Sequence, residues 1–153
     1  MFEKLKEMNQ ELEALKKVHL EKSKAMFTDV AKLLFEKHPK LESFGWNQYT
    51  PYFNDGEECT FSARTDEPDI NGLDGYEINF GDEQVTDWNS PKVGNEYPKK
   101  ANPDYNPELH LAHQDVTEFL ANMDEAVLRD LFGDHVQVLV TAGGTEVEEY
   151  EHD

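Results

Sequence analysis

The first 38 residues repeat apolar positions at the period of an α-helix. Neither Gly nor Pro occurs before Pro39, and apolar side chains are spaced by three and four residues. These spaced residues are Leu5, Met8, Leu12 and Leu15. His19 and Lys22 then interrupt the stripe, which covers two heptads, fewer than the three or four that indicate a coiled coil. Two interpretations stay open: one amphipathic helix packed on its own domain, or a helical arm that forms a homodimer through residues 2–20.

The second half of this segment carries a wider apolar stripe, which makes residues 23–38 the part expected to reach the core. The stripe consists of Met26, Phe27, Val30, Leu33, Leu34 and Phe35. The residue before a proline is disfavoured in a helix. We therefore expect the helix to end at His38, before Pro39.

Residues 44–64 have the pattern of a β-hairpin with one aromatic face. Asp55-Gly56 is a strong two-residue hairpin signal, and it would place Tyr52 opposite Cys59 and Thr50 opposite Phe61. In this register a single face carries the apolar and small residues, which supports the alignment. That face holds Phe44, Trp46, Tyr52, Cys59, Phe61 and Ala63.

The other face of the hairpin presents Tyr49 and Phe53. These two side chains either lie under a helix or form a contact patch. Pro51 predicts that the first strand is at a sheet edge or is broken there, because proline has no N–H for the ladder. Cys59 falls on the apolar face and is expected to be a small core residue, not a nucleophile.

The middle of the chain is rich in turn residues. Residues 66–80 predict an acidic turn that leads into a strand, Tyr76 to Phe80. Glu67, Asp69 and Asn71 imitate the start of a calcium loop, but the twelfth position is Ile78, not a bidentate Glu. Residues 81–106 show no period and predict an irregular loop, with Trp88 and Tyr97 holding it to the surface.

The last third of the chain predicts a helix or helix pair followed by a second hairpin. Asn106 suits an N-cap, Pro107 suits the first helical position, and Asp124 could begin a second short helix. Apolar runs on both sides of Gly143-Gly144 predict a hairpin that sets Val140 opposite Val147. His110 and His113, three residues apart, are expected to be surface residues because nothing nearby completes a metal site.

These elements predict an α+β fold. It has a long N-terminal helix and an antiparallel sheet of four or five strands built from hairpins. One or two helices cover the sheet. The chain divides into an N-terminal amphipathic helix, residues 1–40, and an acidic α+β domain, residues 41–153.

Charge changes the picture, because it is distributed unevenly. Residues 1–40 hold nine Lys and seven Asp or Glu, whereas residues 41–153 hold five Lys or Arg and 26 Asp or Glu. The second part therefore has a net charge of −21. Duplex DNA carries one charge per ~1.7 Å of axis, so this charge equals that of roughly 36 Å of duplex. Direct nucleic-acid binding is disfavoured. The acids serve either solubility alone or binding to a basic partner.

The chain lacks the patterns that would indicate an enzyme. It has no glycine-rich phosphate loop, no zinc-ligand spacing and no dinucleotide fingerprint. We expect no catalytic residues, no metal and no cofactor. One cysteine and the absence of an apolar run of about 18 residues favour a cytoplasmic protein that makes no membrane contact.

Two segments are similar to a known group of proteins. Residues 46–57, WNQYTPYFNDGE, and residues 146–153, EVEEYEHD, resemble small acidic proteins of unknown function from tailed bacteriophages and some bacteria. The resemblance covers about a fifth of the chain. It implies a phage-type accessory protein that acts in the cytoplasm of a bacterial host, and it implies no activity.

The leading hypothesis is a non-enzymatic protein whose acidic surface binds and inhibits a basic, nucleic-acid-binding host protein, such as a defence nuclease, as a nucleic-acid mimic. The alternative is a structural or assembly protein that oligomerises through the N-terminal helix. Acidic clusters and two aromatic residues are expected to carry the contact. They are Glu57, Glu58, Asp66, Glu67, Asp69, Glu146, Glu148, Glu149, Tyr49 and Phe53.

Overall fold

A computed structural model describes residues 2–52, 56 and 59–151, and this part contains three helices and seven strands. The helices are α1 (Phe2–Lys37), α2 (Pro107–Ala121) and α3 (Glu125–Phe132). The strands are β1 (Ser43–Tyr49), β2 (Ser62–Ala63), β3 (Asp69–Ile70), β4 (Gln84–Thr86), β5 (Lys99–Ala101), β6 (Val136–Thr141) and β7 (Gly144–Glu149). The predicted α+β class, with its long N-terminal helix, is confirmed.

Five strands form the main sheet, and every pairing in it is antiparallel. The order is β2-β1-β6-β7. β3 pairs with the same edge of β1 as β2 does, but near the start of β1, whereas β2 pairs near its end. All six residues of β6 pair with β1 on one side and with β7 on the other. β1 is therefore a central strand that contacts three others.

The register predicted for the first hairpin is confirmed where its strands form. Gln48 lies opposite Ala63, which continues the predicted Thr50–Phe61 alignment. The ladder ends at Tyr49, as the break predicted at Pro51 requires. Tyr52 is not part of the apolar face, since it is 66% exposed. The predicted turn at Asp55 lies outside the described residues.

The second hairpin has a different register from the predicted one. Its loop is Ala142-Gly143, so that Val147 lies opposite Val138, not Val140. Gly144 follows the loop with φ 143°, a conformation that side-chain-bearing residues rarely adopt. Gly143 is therefore the last residue of the loop and Gly144 is the first residue of β7. The pairing is shifted by two residues from the predicted register, so each side chain stays on its predicted face of the sheet.

The core lies between one face of the sheet and all three helices. We call this the inner face. It presents Phe44, Trp46 and Gln48 from β1, and Val138 and Val140 from β6. The helices contribute Phe27, Ala31, Leu34, Ala112, Val116, Leu120 and Leu128. The Phe27 ring meets Trp46, Phe119 and Phe132 at centroid distances of 5.2–6.2 Å.

The buried face of α1 differs from the predicted stripe. The buried residues are Ser23, Phe27, Ala31 and Leu34, whereas Met26 and Leu33 are exposed. The sequence offers two apolar faces on this helix, and packing on the sheet selects the one that contains Phe27. Residues 2–19 of α1 are exposed along their whole length. Among the described residues, no helix has the length and apolar content needed to cross a membrane.

Three expectations for residues 66–106 are wrong. The segment from Tyr76 to Phe80 is not a strand, and its backbone instead closes turns onto Asp74. The predicted irregular loop contains a small two-stranded sheet, β4 with β5. Trp88 does not hold this segment to the body, because it is 71% exposed and packs on Tyr97 at 5.0 Å.

The predicted helix boundaries near the end of the chain are confirmed. Asn106 Oδ1 accepts a hydrogen bond from the Leu109 N–H at the start of α2. Asp124 Oδ1 accepts one from the Ala126 N–H at the start of α3. These side chains satisfy N–H groups that a helix N-terminus leaves unpaired.

Candidate protein-interaction surface

The sheet face opposite the helices is the outer face, and it carries part of the predicted contact set. Successive strand residues point to opposite faces, so the outer face is formed by the residues that alternate with the inner-face residues along each strand. The outer face consists of Asn47 and Tyr49 on β1, Ser62 and Arg64, Gln137 and Leu139 on β6, and Glu146 and Glu148 on β7. The face is mixed in character, with aromatic, amide and acidic side chains.

Tyr49 lies on this outer face and not under a helix. Its ring is 5.6 Å from that of Tyr150, and the Arg64 guanidinium lies 4.9 Å from its centroid. The prediction that Tyr49 lies under a helix is therefore wrong, and the contact-patch interpretation remains. Phe53, predicted on the same face, lies outside the described residues.

β7 carries the more accessible of the two predicted acidic clusters that the structure describes. All six of its residues are exposed, and it forms an edge of the main sheet. Glu146 and Glu148 lie on the outer face, and Glu149 projects from the opposite face. Within the described residues none of these three carboxylates has an ion-pair partner. We call these three residues the β7 cluster.

The cluster Asp66, Glu67 and Asp69 is used internally. Asp66 accepts a hydrogen bond from the Tyr76 hydroxyl at 3.1 Å, and Asp69 accepts one from the Gly75 N–H at 3.0 Å. Burial, and then the neighbouring Asp66, raise the pKa of Tyr76. These contacts join Asp66 and Asp69 to the turn at Gly75 and Tyr76, which follows β3, so this cluster is less available to a partner than the β7 cluster.

Glu67 also lies close to α2. Its carboxylate is 3.6 Å from Nε2 of His113. Burial lowers the pKa of His113, while the charge of Glu67 acts in the opposite direction. The neighbouring His110 ring packs against Gly81 and contacts Gln114. Across the described ranges, no group of three or more His, Cys, Asp or Glu is placed to hold a metal ion.

A polar network at one end of the sheet was not predicted from the sequence. Asp134 accepts hydrogen bonds from the Thr50 N–H and hydroxyl at 2.8 and 2.7 Å, and from the His135 N–H. Burial raises the pKa of Asp134, but these hydrogen bonds outweigh it and the net shift is downward. Arg129 lies 3.5 Å from the same carboxylate. The sequence indicated this network only through the position of Asp134, which directly follows Gly133, the glycine that ends α3.

A second unpredicted network joins α1 to α2. Asp115 accepts hydrogen bonds from Lys37 Nζ at 2.9 Å and from His38 Nε2 at 2.7 Å. The hydrogen bond from Lys37, and then that from His38, lower the pKa of Asp115. His38 is largely buried here, at the end of α1. The network ties the long helix to the rest of the domain.

Most acidic residues of the body remain without an ion-pair partner. Between residues 41 and 151 the structure describes 22 Asp and Glu residues. Four of these take part in ion pairs: Glu67, Glu108, Asp115 and Asp134. The remaining described carboxylates have no ion-pair partner among the described residues, although several accept hydrogen bonds from nearby N–H and O–H groups. Glu57 and Glu58, the other predicted acidic pair, lie outside the described residues.

Comparison with known proteins leaves this surface to be interpreted from its own chemistry. No family model, curated protein or solved structure matches the chain.

Proposed function

We propose that this chain is a non-enzymatic binding protein whose acidic body occupies the nucleic-acid-binding surface of a basic protein. The observation that carries the proposal is the shortage of internal ion pairs: four of 22 described body carboxylates are paired. Unpaired like charges destabilise a compact fold by mutual repulsion. A basic partner would relieve that repulsion and gain the favourable energy of the contact.

Electrostatic attraction would act mainly on the association rate. A surface of one sign raises the encounter rate with a surface of the other sign by about 10- to 1,000-fold, and added salt reduces the effect. At physiological ionic strength the screening length is about 8 Å, so charges near the contact contribute most. The proposed complex therefore forms fast at low salt and weakens as salt increases.

The β7 cluster is the favoured centre of the contact. Glu146 and Glu148 are two residues apart on one face, a separation of about 6.8 Å along the strand. Glu148 is two residues before Tyr150, whose ring packs on that of Tyr49, and tyrosine is enriched in protein interfaces. Asp66, Glu67 and Asp69 would contribute to the field at longer range because their oxygens already serve the turn.

The inference that the partner comes from a bacterial host rests on the resemblance alone. Residues 46–57 and 146–153 are similar to small acidic proteins of tailed bacteriophages and some bacteria. The second of these segments contains the β7 cluster. We therefore propose a bacterial host protein, such as a defence nuclease, as the partner, and inhibition by nucleic-acid mimicry as the effect.

The test compares two variants that change charge equally. One reverses the β7 cluster, with Glu146→Lys, Glu148→Lys and Glu149→Lys. The control reverses Glu42, Glu77 and Glu96, which are exposed and scattered. Affinity capture from bacterial lysate at ~50 and ~500 mM salt changes the screening length about threefold.

The proposal predicts a specific basic protein that wild type and control recover at low salt, that high salt depletes, and that the β7 variant loses. Equal recovery by all three chains at both salts would contradict it. Loss with both variants alike would support attraction by net charge but not the β7 contact.

A further inference from the structure

We propose that α1 carries a second, separate interaction surface, through which two copies of this chain form a parallel dimer. The first half of α1 has a line of large apolar side chains, each 51–66% exposed, which we call the arm stripe. It consists of Leu5, Met8, Leu12 and Leu15. A contiguous line of exposed apolar side chains marks an interaction site. This inference does not depend on the function proposed for the acidic body.

The arm stripe continues along the second half of α1. Steps of seven residues from Leu5 reach Leu12, His19, Met26 and Leu33, and both Met26 and Leu33 are more than half exposed. At 100° per residue these positions lie roughly 75° around the helix from the face that packs in the core. α1 therefore has two apolar faces. The described residues cover the first, whereas the second is open along its first half and borders α2 near Val30 and Leu33.

A full-length helix pair has an adequate contact area. The 36 residues of α1 form a helix of about 54 Å, and a contact about 10 Å wide would involve roughly 1,000 Å² on two copies together. That is the lower limit for a specific interface. Pairing through residues 2–19 alone would give about half of this area. The interface is thus expected to use the whole stripe, and its strength is limited by the polar and charged residues at the other core positions of the heptad, which are His19, Lys22, Asp29 and Glu36.

The charges beside the stripe favour the parallel orientation. With Leu5 and Leu12 in the first core position of the heptad, Glu11 and Lys16 flank the seam. In a parallel pair each Glu11 faces Lys16 of the second copy, five residues further on, and this contact occurs twice. An antiparallel pair that uses the same four apolar layers sets Glu11 opposite Glu11. Further along the seam Lys32 meets Lys37 of the second copy, but Lys37 is already paired with Asp115. The Glu11–Lys16 contacts therefore decide the orientation and favour a second copy in parallel alignment.

Salt distinguishes this contact from the proposed function. A parallel pair places two acidic bodies, each of net charge −21, at the same end of the dimer. Added salt screens the repulsion between them, so it should strengthen dimerisation. The proposed complex with a basic partner responds in the opposite direction. Failure of the dimer leaves that proposal standing, and failure of the partner complex leaves the dimer standing.

The first test measures the mass of the full chain by sedimentation velocity at about 100 µM, where an interface at this size limit is expected to be populated. Wild type should sediment as a dimer, more completely at high salt. Leu12→Glu should weaken the dimer more than about a hundredfold, since it places a charge in each half of an apolar seam. Gln10→Glu adds the same charge on the solvent side of α1 and should leave the dimer intact. A monomeric wild type at both salts, or equal effects of the two variants, would overturn the proposal.

The second test measures orientation. In a Cys59→Ser background, Leu5→Cys should form an intermolecular disulfide under mild oxidation, because a parallel pair brings the two positions together. In the antiparallel pair the two cysteines would be ten residues, about 15 Å, apart along the axis. Glu11→Lys should weaken the dimer about two- to fivefold, and Lys16→Glu added to it should restore binding. A dimer that forms no disulfide, and whose affinity is unchanged by Glu11→Lys alone and with Lys16→Glu, would contradict the parallel arrangement.

Discussion

The indole N–H of Trp46 donates a 2.9 Å hydrogen bond to Oε1 of Gln48, two residues further along the inner face of β1. The amide nitrogen of Gln48 in turn donates to the carbonyls of Leu128 at 2.9 Å and Gly133 at 2.7 Å. Gln48 is completely buried. A single side chain thus accepts a hydrogen bond from the Trp46 N–H and donates to one carbonyl within α3 and one directly after it, and it fixes this helix on the sheet.

Replacing Gln48 should be costly. Gln48→Ala removes buried contacts and leaves the Trp46 N–H without its hydrogen-bond acceptor and two carbonyls without their donor, so we expect a loss of about 2–4 kcal/mol of unfolding free energy. Urea unfolding followed by tryptophan fluorescence measures this loss. Gln137→Ala, an exposed residue of the outer face, should change stability by less than about 0.5 kcal/mol. Similar effects of the two changes would contradict the role of the network.

Asp115 should contribute stability that depends on pH. Its pKa in the folded chain is below the ordinary value of 3.8, so its contribution is fully present above that value and is lost as pH falls through the folded pKa. Asp115→Asn should reduce the unfolding free energy by about 1 kcal/mol at pH 7. The difference between wild type and variant should shrink below pH 3.8. Urea unfolding at pH 7, ~4 and ~2.5 gives the comparison. A difference that persists unchanged at the lowest pH would exclude the carboxylate as its cause.

Gly75 should tolerate no side chain. A Cβ at this position would overlap the carbonyl oxygens of Glu67 and Pro68, which are backbone atoms that cannot move independently. Gly75→Ala should therefore displace the acidic turn and cost about 1–3 kcal/mol. Gly143→Ala is the matched control, because its Cβ would meet nothing closer than the Thr141 hydroxyl at 3.8 Å. Thermal unfolding of both variants tests this, and a stable Gly75→Ala protein would show that the turn can yield.

The sequence predicted which segments form helices and strands better than it predicted which faces and strands pack or pair with one another. Local signals were sufficient for the helix caps at Asn106 and Asp124 and for the register between β1 and β2. They were insufficient for α1, where two apolar faces compete and only the tertiary structure selects Phe27 over Met26. β4 and β5 are three residues each and are joined by a long connection, so no periodicity could reveal them.

The candidate surface was predicted in part for a similar reason. Acidic clusters are visible in a sequence, but whether their oxygens are free is not. Asp66 and Asp69 turn out to hold a turn, whereas Glu146 and Glu148 have no such contact among the described residues. Gln48 and Asp134 were missed because a polar residue in a strand or after a helix has no pattern of its own.

We propose that the acidic body competes with nucleic acid for one surface of a basic partner. Displacement tests this: a fluorescent duplex is bound to the captured partner, and its anisotropy is followed as this chain is added. We expect wild type to release the duplex and the reversed β7 cluster to release it only at much higher concentration. The control with reversed Glu42, Glu77 and Glu96 should act almost as wild type. A partner that binds this chain and the duplex at the same time, with no fall in anisotropy, would exclude competition.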